Sequence, residues 1–381
     1  MLVLSLFVLS LGVSLAYVEY DLNEAEELFE KFIVDFNRKY KDIEEKQMRF
    51  NIFKEKLQKI NEGNKQHGYE VFGINKFADL SDSEFKSIYS CYKVNEKEGS
   101  PCVPPKRYSH RRTEVPDSFD WREKGIVNAV KDQGQCGSCW AFSTVGNVES
   151  QYAKKYGADQ LTSLSEQQLV DCDRNATDKG CRGGVMTAAV LYLMKAGLMT
   201  NADYPYKASD GQCQYDANKV KVKVTGCVDF TGTPEDDIRA ILVENGPLTV
   251  AGLMTNADYP YKASDGQCQY DANKVKVKVT GCVDFTGTPE DDIRAILVEN
   301  GPLTVALSTE PLASYKSGVV EDCYQDDVIN HALLLVGYGT DEKTKKPYWL
   351  IKNSWGADWG ENGYYRLIRG DPRCQVGTYE L

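Results

Sequence analysis

The stretch that decides the fold is QGQCGSCWAFS at residues 133–143. Gly134 and Gly137 allow a tight backbone path, and apolar residues recur with a helical period from Cys139 onward. A cysteine in the first turn of a helix feels the positive end of the helix dipole, which favours the thiolate. Gln133 lies six residues upstream, and its amide can donate to a developing oxyanion. The stretch therefore predicts that Cys139 is a nucleophile.

Three other interpretations of Cys136 and Cys139 compete with this one. They are an ordinary disulfide pair, a redox C-x-x-C motif and half of a zinc site. A zinc site needs a second ligand pair of similar spacing, and the sequence has none. A redox motif fits a reducing compartment, against which the N-terminus argues. The redox alternative predicts that Cys136 acts as a thiol, so a disulfide at Cys136 in the active protein would exclude it.

Residues 1–16 form an apolar run that ends in Ser14-Leu15-Ala16, a pattern typical of a signal peptide. The run is too short to span a bilayer. We therefore expect the secretory pathway, with the lysosome or the extracellular space as destination. In that setting the 12 cysteines are mostly disulfides, and Asn175-Ala176-Thr177 is a usable glycosylation sequon. The net charge of −11 argues against nucleic acid and anionic membranes as partners.

The order of periodic segments predicts an α+β protein. Residues 23–64 carry a helical apolar period, which predicts a helical hairpin in a small domain. Residues 92–114 are rich in charge and proline and predict an exposed, protease-sensitive linker flanked by Cys91 and Cys102. Helical patterns follow from residue 139, with a capping box predicted at Ser165 and Gln168. Strand patterns dominate after residue 303.

A perfect tandem repeat interrupts this order. Residues 197–251 recur at 252–306 without a mismatch, with a period of 55. Two copies of one sequence cannot fill the same place in a packed core. We expect one copy to complete the domain while the other is extruded or misfolded. The sequence leaves open which copy is which, because both junctions are equivalent.

A cysteine nucleophile needs a base, and His331 is the one histidine between residues 115 and 381. Asn353 is a candidate to orient the imidazole, with Trp355 shielding the pair from water. His331 lies 192 residues after Cys139, or 137 once a single 55-residue copy is subtracted.

These residues resemble the papain family, and within it the cathepsin L-like cysteine endopeptidases. Cys136-Gly137-Ser138-Cys139-Trp140 matches the family's C-G-[SA]-C-[WY] signature, whose histidine lies about 130–150 residues downstream. The resemblance runs from about residue 25 to the C-terminus. The prosegment resembles the family's inhibitory helix signature, with Lys56 where that pattern has asparagine, and its second motif. The matching residues are Glu45, Arg49, Phe53, Ile60 and Asn64, then Gly73, Asn75, Phe77 and Asp79.

The resemblance implies a papain-like fold, with a helical left domain, a β-barrel-like right domain and the active-site cleft between them. A helical inhibitory prosegment precedes it and blocks the cleft. The implied division is a signal peptide at 1–16, a propeptide at 17–114 and a peptidase domain at 115–381 that contains the duplication at 197–251 and 252–306. Activation would remove the propeptide near Arg112 to Val115.

The resemblance also implies roles for single residues. Cys139 is the nucleophile, His331 the base and acid, Asn353 the orienting group, and Gln133 with the Cys139 N–H the oxyanion hole. The implied substrate-binding residues are Gly183 and Gly184, at the edge that binds the substrate backbone, and Trp355. The implied pocket for the residue before the cleaved one is lined by Val185, Met186, Ala332 and either Ala251 or Ala306, and Tyr379 closes it, which favours apolar side chains.

The implied disulfides are Cys136–Cys181, Cys172 with Cys213 or Cys268, and Cys323–Cys374. The implied partners are peptide and protein substrates, the chain's own propeptide and cystatin-type inhibitors, and the protein is expected to be a monomer. Neither a metal nor another cofactor is expected. The alternative to a working endopeptidase is a papain-like scaffold whose catalysis is impaired by the duplication.

Overall fold

The structure is a computed structural model of the chain. It describes residues 17–89, 117–175, 177–224, 293–294, 297–298, 301–309, 312–322, 329–371 and 374. The expected signal peptide, the activation site and Tyr379 lie outside these residues. In the part of the chain so described, no helix is both long and apolar enough to cross a membrane.

The described part of the prosegment, residues 17–89, contains three α-helices. They are α1 (Ala25–Asp35), α2 (Ile43–His67) and α3 (Asp82–Tyr89). Helix α2 begins where the Asp42 carboxylate accepts from the Glu45 N–H at 2.9 Å, and it ends at Gly68, whose φ of 73° suits glycine. The facing sides of α1 and α2 bury one apolar cluster: Ala25, Phe29, Phe32, Phe53, Leu57 and Ala78. This is the predicted helical hairpin.

The first half of the remaining chain is helical. Its helices are α4 (Cys139–Tyr156), α5 (Glu166–Cys172) and α6 (Met186–Ala196). Helix α4 is central and is buried on most of its faces, which fits its mainly apolar and small side chains. It ends at Gly157, with φ 110°.

The predicted capping box at α5 is only half formed. The Ser165 Oγ accepts from the Gln168 N–H at 3.1 Å, as a helix cap does. The reciprocal bond is missing because the Ser165 N–H donates to the Met199 carbonyl instead. The Gln168 side chain is engaged by Gly197 and Met199. The box prediction is therefore wrong in its second half.

The second half is a sheet in which β6 is the organising strand. The strands are β1 (Phe119–Asp120), β2 (Leu198–Met199), β3 (Val220–Val222), β4 (Leu303–Leu307), β5 (Val319–Val320), β6 (His331–Thr340), β7 (Pro347–Lys352) and β8 (Tyr364–Ile368). The order among the described strands is β1-β6-β7-β8-β5, with β4 also paired to β6. All pairs in this sheet are antiparallel except β5 with β8. Strands β2 and β3 form a separate pair. Most of the helices precede most of the strands along the chain, which confirms the α+β prediction.

Helix α4 lies against β6 and joins the two halves. The Ser143 hydroxyl donates to the Leu333 carbonyl at 2.7 Å. A Cβ on Gly146 would meet the Leu334 side chain at 3.4 Å, which is ordinary contact. The N-terminus of α4 and the first residue of β6 thereby lie on the same side of the seam, which brings Cys139 and His331 into one region.

The domain uses parts of both repeat copies. Residues 197–224, which carry β2 and β3, come from the first copy, and residues from 293 onward, which carry β4, come from the second. Among the described residues, no position of the 55-residue unit is filled twice. The described part of the domain therefore contains segments of both copies.

Candidate active site

Cys139 is the first residue of α4, and its side chain is fully buried. Ser138 precedes it as the N-cap but makes no side-chain bond to the helix N–H groups. The helix dipole therefore places partial positive charge beside the Cys139 sulfur. The sulfur of Cys139 is disulfide-bonded in this structure.

His331 begins β6 and is fully buried. Its Nε2 lies 2.8 Å from the Asn353 Oδ1, while its Nδ1 has no hydrogen-bond partner within the described residues. Burial lowers the pKa of His331 to about 4, and the hydrogen bond to Asn353 opposes this shift. The hydrogen bond at Nε2 therefore fixes the orientation of the ring, and Nδ1 is the nitrogen available to exchange a proton.

Trp355 covers the imidazole. The two rings stack with centroids 4.9 Å apart and planes 24° from parallel. Trp355 is fully buried, and it follows Asn353 by two residues in the loop after β7. One short segment thus supplies both the hydrogen bond that orients the ring and the surface that excludes water from it.

The Gln133 side chain is fixed from both ends. Its Nε2 donates to the Cys136 carbonyl at 2.9 Å, and its Oε1 accepts from the Ser354 hydroxyl at 2.7 Å. The Gln133 N–H also donates to the Ser354 carbonyl at 2.8 Å. Because an amide nitrogen has two protons, one remains for a further acceptor. Sequence reasoning missed Ser354, whose only signal was its position next to Asn353.

The glycine-rich bend lies beside the nucleophile. Gly183 has φ 101°, and a Cβ on Gly184 would approach the Trp140 ring and the Asp178 carboxylate to 2.6 and 2.7 Å. The Cys136–Cys181 disulfide and the bond from the Gly137 N–H to the Cys181 carbonyl (2.9 Å) tie this bend to the nucleophile loop. Cys136 is therefore a disulfide residue, which removes the redox C-x-x-C alternative for this structure.

The carboxylates of Asp173 and Asp178 are buried beside the glycine-rich bend. Asp178 Oδ1 accepts from the Val185 N–H at 2.8 Å, and the exposed Asn175 amide donates to both Asp173 and Asp178 at 2.9 and 2.8 Å. Asp173 Oδ2 is buried without a donor. Burial and then the Asp178 charge raise the pKa of Asp173 to about 9, and burial raises the pKa of Asp178. The arrangement fits one shared proton, carried by Asp173 and donated to Asp178.

An apolar pocket wall lies next to Cys139. Met186, Ala306 and Ala332 are buried in the same apolar cluster as Cys139, and Val185 is also buried. Ala306 and Ala332 are register partners across β4 and β6. The alternative Ala251 lies outside the described residues.

The other expected disulfides have mixed outcomes. Cys172 pairs with Cys213, with Cα atoms 4.7 Å apart, and its alternative Cys268 is not among the described residues. Cys374 is disulfide-bonded, and Cys323, its expected partner, lies outside the described residues. The described residues contain no group of three or more His, Cys, Asp or Glu side chains that could hold a metal ion.

The prosegment packs on the wall of this site. Phe77, Phe85 and Tyr89 each place their ring centroid 5.3 Å from that of Trp355. The Asn75 amide donates to the carbonyls of Ala313 and Tyr315 at 3.0 and 3.3 Å. The same tryptophan therefore contacts His331 on one side and the prosegment on another.

The sequence of this chain matches the profiles of two known families. The profile of the papain family cysteine protease matches residues 115–252 and 248–381, and that of the cathepsin propeptide inhibitor domain matches residues 29–85. The first family is therefore matched in two parts that meet inside the repeat.

Among curated relatives, the viral cathepsin of Adoxophyes honmai nucleopolyhedrovirus is 33% identical over 376 residues, covering 95% of this chain and 92% of the relative. Cathepsin F of Drosophila melanogaster is 36% identical over 367 residues, covering 93% of this chain and 49% of the relative. Among solved structures, the digestive procathepsin L2 proteinase from Tenebrio molitor larval midgut superposes with a TM-score of 0.72 at 30% identity, covering 93% of this chain and 98% of that one. The recombinant stem bromelain precursor gives 0.67 at 29%, covering 93% and 97%.

Proposed function

Because the chain belongs to the papain family of cysteine proteases, we propose that it hydrolyses peptide bonds with a Cys139–His331 thiolate–imidazolium pair. It is a cysteine endopeptidase made as a zymogen, with a cathepsin-type propeptide that inhibits its own protease domain. The observation that carries the catalytic assignment is the His331–Asn353 bond, which leaves Nδ1 as the free ring nitrogen near the start of α4.

In the first half-reaction the Cys139 thiolate attacks the carbonyl carbon of the substrate, and a carbon–sulfur bond forms. The oxyanion is stabilised by the Gln133 amide and the Cys139 N–H. The His331 imidazolium then gives its Nδ1 proton to the leaving amine as the carbon–nitrogen bond breaks. An acyl-enzyme and a neutral imidazole remain.

In the second half-reaction neutral His331 takes a proton from water, and the resulting hydroxide attacks the acyl carbon. The carbon–sulfur bond breaks, the acid product leaves, and the thiolate–imidazolium pair is restored. Throughout, Asn353 holds the ring by Nε2 and Trp355 keeps water from that side.

The pair requires a free thiol at Cys139. Since the sulfur is disulfide-bonded in this structure, the active form arises after a thiol reductant has opened that bond by exchange. Burial lowers the pKa of His331 to about 4, and a neighbouring thiolate would oppose this shift by stabilising the imidazolium.

Substrate selection is proposed to rest on the bend and the apolar wall. Gly183 and Gly184 leave room for the substrate backbone, and Val185, Met186, Ala306 and Ala332 favour an apolar side chain before the cleaved residue. Trp355 borders the leaving-group side of the site.

The cellular setting is also a proposal. The apolar residues 1–16 support entry into the secretory pathway as a signal peptide, with the lysosome or the outside of the cell as destination. Glycosylation at Asn175 is supported by the sequon and by exposure. A glycan on its Nδ2 would replace one of the two bonds to Asp173 and Asp178. Cystatin-type inhibition and a monomeric state follow from the family resemblance.

Active-site titration tests the proposal. The full chain is reduced, activated in acid and treated with a cysteine-directed epoxide, beside the Cys139→Ser and His331→Ala variants. We expect one equivalent of label on Cys139 in the wild type, none in Cys139→Ser, and at least about 100-fold slower labelling in His331→Ala because the thiolate loses its partner. Labelling of His331→Ala at the wild-type rate would contradict the proposed pair.

The impaired scaffold is the second candidate, and the repeat is the observation that favours it. It predicts labelling only in a chain that lacks 55 residues of the repeat. Equal labelling of the full and shortened chains would remove it, and no labelling of either would overturn the protease mechanism.

A further inference from the structure

A tyrosine hydroxyl lies under the loop that carries both proposed oxyanion donors. The Tyr206 OH donates to the Gln133 carbonyl at 2.8 Å and lies 2.6 Å from the Ser138 Oγ. Gln133 carries the side-chain donor, and Ser138 immediately precedes Cys139, whose N–H is the backbone donor. One atom therefore bridges the two ends of the turn formed by residues 134–137.

The surroundings hold this hydroxyl in place. The Tyr206 ring packs edge-on against Phe142 of α4, with centroids 4.9 Å apart and planes at 85°. Both Gln133 and Ser138 are fully buried. Burial raises the pKa of Tyr206 well above its ordinary value, so the phenol keeps its proton and remains a donor.

The remaining contacts of the loop do not replace the bridge. Among the described residues, the Ser138 hydroxyl makes one other hydrogen bond, a long one of 3.4 Å to the Cys136 carbonyl. The Gln133 side chain is fixed by Ser354, and Cys136 by its disulfide. The Cys136 carbonyl also accepts from both the Gln133 Nε2 and the Ser138 N–H, but it belongs to the turn itself. The Tyr206 hydroxyl instead holds Gln133 and Ser138 together from outside the turn.

We propose that Tyr206 is a positioning residue that sets the geometry of the oxyanion hole. This rests on the proposed function of Gln133 and Cys139. Oxyanion stabilisation depends on donors placed within a few tenths of an ångström of the developing charge. Formation of the thiolate–imidazolium pair does not depend on the Gln133 amide. Loss of the Tyr206 hydroxyl should therefore slow acyl transfer and leave the reactivity of the thiolate intact.

The chain supplies its own matched control. Tyr206 belongs to the first repeat copy, and Tyr261 is the same position of the second copy, with identical neighbours in sequence. Tyr206 lies in the described domain, while Tyr261 lies outside the described residues. Substituting each by phenylalanine changes the same atom in the same sequence context.

The experiment compares the reduced, acid-activated wild type with Tyr206→Phe and Tyr261→Phe. It measures kcat and KM on a fluorogenic peptide, the rate of alkylation by iodoacetamide, and the melting temperature. Iodoacetamide reports on the thiolate alone, since its reaction forms no oxyanion. For Tyr206→Phe we expect kcat to fall about tenfold or more, with KM and alkylation within about twofold of wild type. Tyr261→Phe should match wild type in all of them.

Other outcomes would overturn the inference. One is an unchanged kcat in Tyr206→Phe. Another is a parallel fall of kcat and alkylation rate in that variant, which indicates a general structural role. The third is an equal fall of kcat in Tyr206→Phe and Tyr261→Phe. A wild type that neither hydrolyses peptide nor reacts at Cys139 would instead contradict the proposed function itself. If Tyr206→Phe folds poorly, Ser138→Ala removes the other hydroxyl of the bridge. In that variant too, a fall of kcat with an unchanged alkylation rate supports the inference, and any other result contradicts it.

Discussion

At the scale of single residues, the support of the glycine-rich bend depends on a proton. Asp173 and Asp178 are both buried; the Asn175 amide donates to both carboxylates, and the Val185 N–H and the Thr177 side chain donate to Asp178. Two ionised carboxylates so close together and out of water repel each other. The proton on Asp173 removes that repulsion and keeps the Asp178 oxygen in place under residues 183–185.

The first prediction concerns the pH dependence of stability. The pKa of Asp173 is raised in the folded state to about 9, so the folded chain binds this proton more tightly than the unfolded chain. Its contribution to stability is complete below about pH 4 and is lost as the pH rises towards 9. Asp173→Asn is neutral at every pH and can still donate to Asp178. We expect it to match wild type near pH 4.5 and to be more stable by about 1–3 kcal/mol near pH 7.5.

Thermal unfolding of the full chain at the two pH values measures this difference. Asp159→Asn, which changes an exposed carboxylate, serves as the control and should not alter the pH dependence. A wild-type stability that stays level between pH 4.5 and 7.5 would rule out the shared proton.

At the scale of elements, α2 and α3 of the prosegment are joined by charges that include the departure from the family motif. Lys56, which stands where the motif has asparagine, lies 2.5 Å from the Asp82 carboxylate, and Lys59 lies 2.6 Å from it. These lysines hold the pKa of Asp82 at about 2, despite the opposing effect of burial. The ion pairs therefore persist at mildly acid pH, so we expect release of the prosegment at such a pH to begin elsewhere.

The second prediction places that release at the aromatic contact with the site wall. Phe77 is buried, and its ring lies 5.3 Å from Trp355 and 5.2 Å from Phe85. Phe77→Ala should weaken prosegment packing by about 3–5 kcal/mol, the usual cost of truncating a buried phenylalanine. We expect the full-length variant to develop peptidase activity faster than wild type at a pH near 6.

Fluorogenic peptide hydrolysis followed over time after reduction measures this activation. Val34→Ala provides the control, because Val34 is 77% exposed on α1 and lies away from Trp355. Equal activation rates for wild type and Phe77→Ala would show that the prosegment is held by its other contacts.

At the scale of the whole molecule, the duplication is accommodated by dividing the domain between two copies. The described residues take β2 and β3 from the first copy and β4 from the second. Since the copies are identical, removal of residues 225–279 yields the same sequence as removal of residues 252–306. One shortened chain therefore represents every choice of surplus copy.

The third prediction is that this shortened chain is active and more stable. A closed loop of 55 residues costs roughly 3–4 kcal/mol of chain entropy, part of which the deletion recovers. We expect kcat and epoxide labelling to match the full chain and the free energy of unfolding to rise by up to about 3 kcal/mol, measured by denaturant unfolding. A shortened chain that unfolds more easily would mean that the extra residues contribute packing to the domain.

Much of this protein was determined by local sequence. The C-G-S-C-W motif, the helical periods and the strand patterns predicted the α+β class, the papain-like family and the propeptide, and the comparisons confirm all three. These features are local because a helix start or an alternating strand is encoded by residues within a few positions of one another. The catalytic roles of Cys139 and His331, which the motif and the family's histidine spacing imply, stay predictions.

Tertiary structure decided the rest. Because the two copies have identical sequences, the sequence does not specify which part of each copy enters the core. Tertiary packing determines that the described domain contains residues 197–224 of the first copy and residues from 293 onward of the second. The second half of the Ser165 capping box is displaced by Met199, a partner from a distant strand. The contacts of Tyr206 with Gln133 and of Ser354 with Gln133 span 73 and 221 residues. Such hydrogen bonds leave no local pattern in the sequence, because they depend on which buried donors and acceptors the fold brings together.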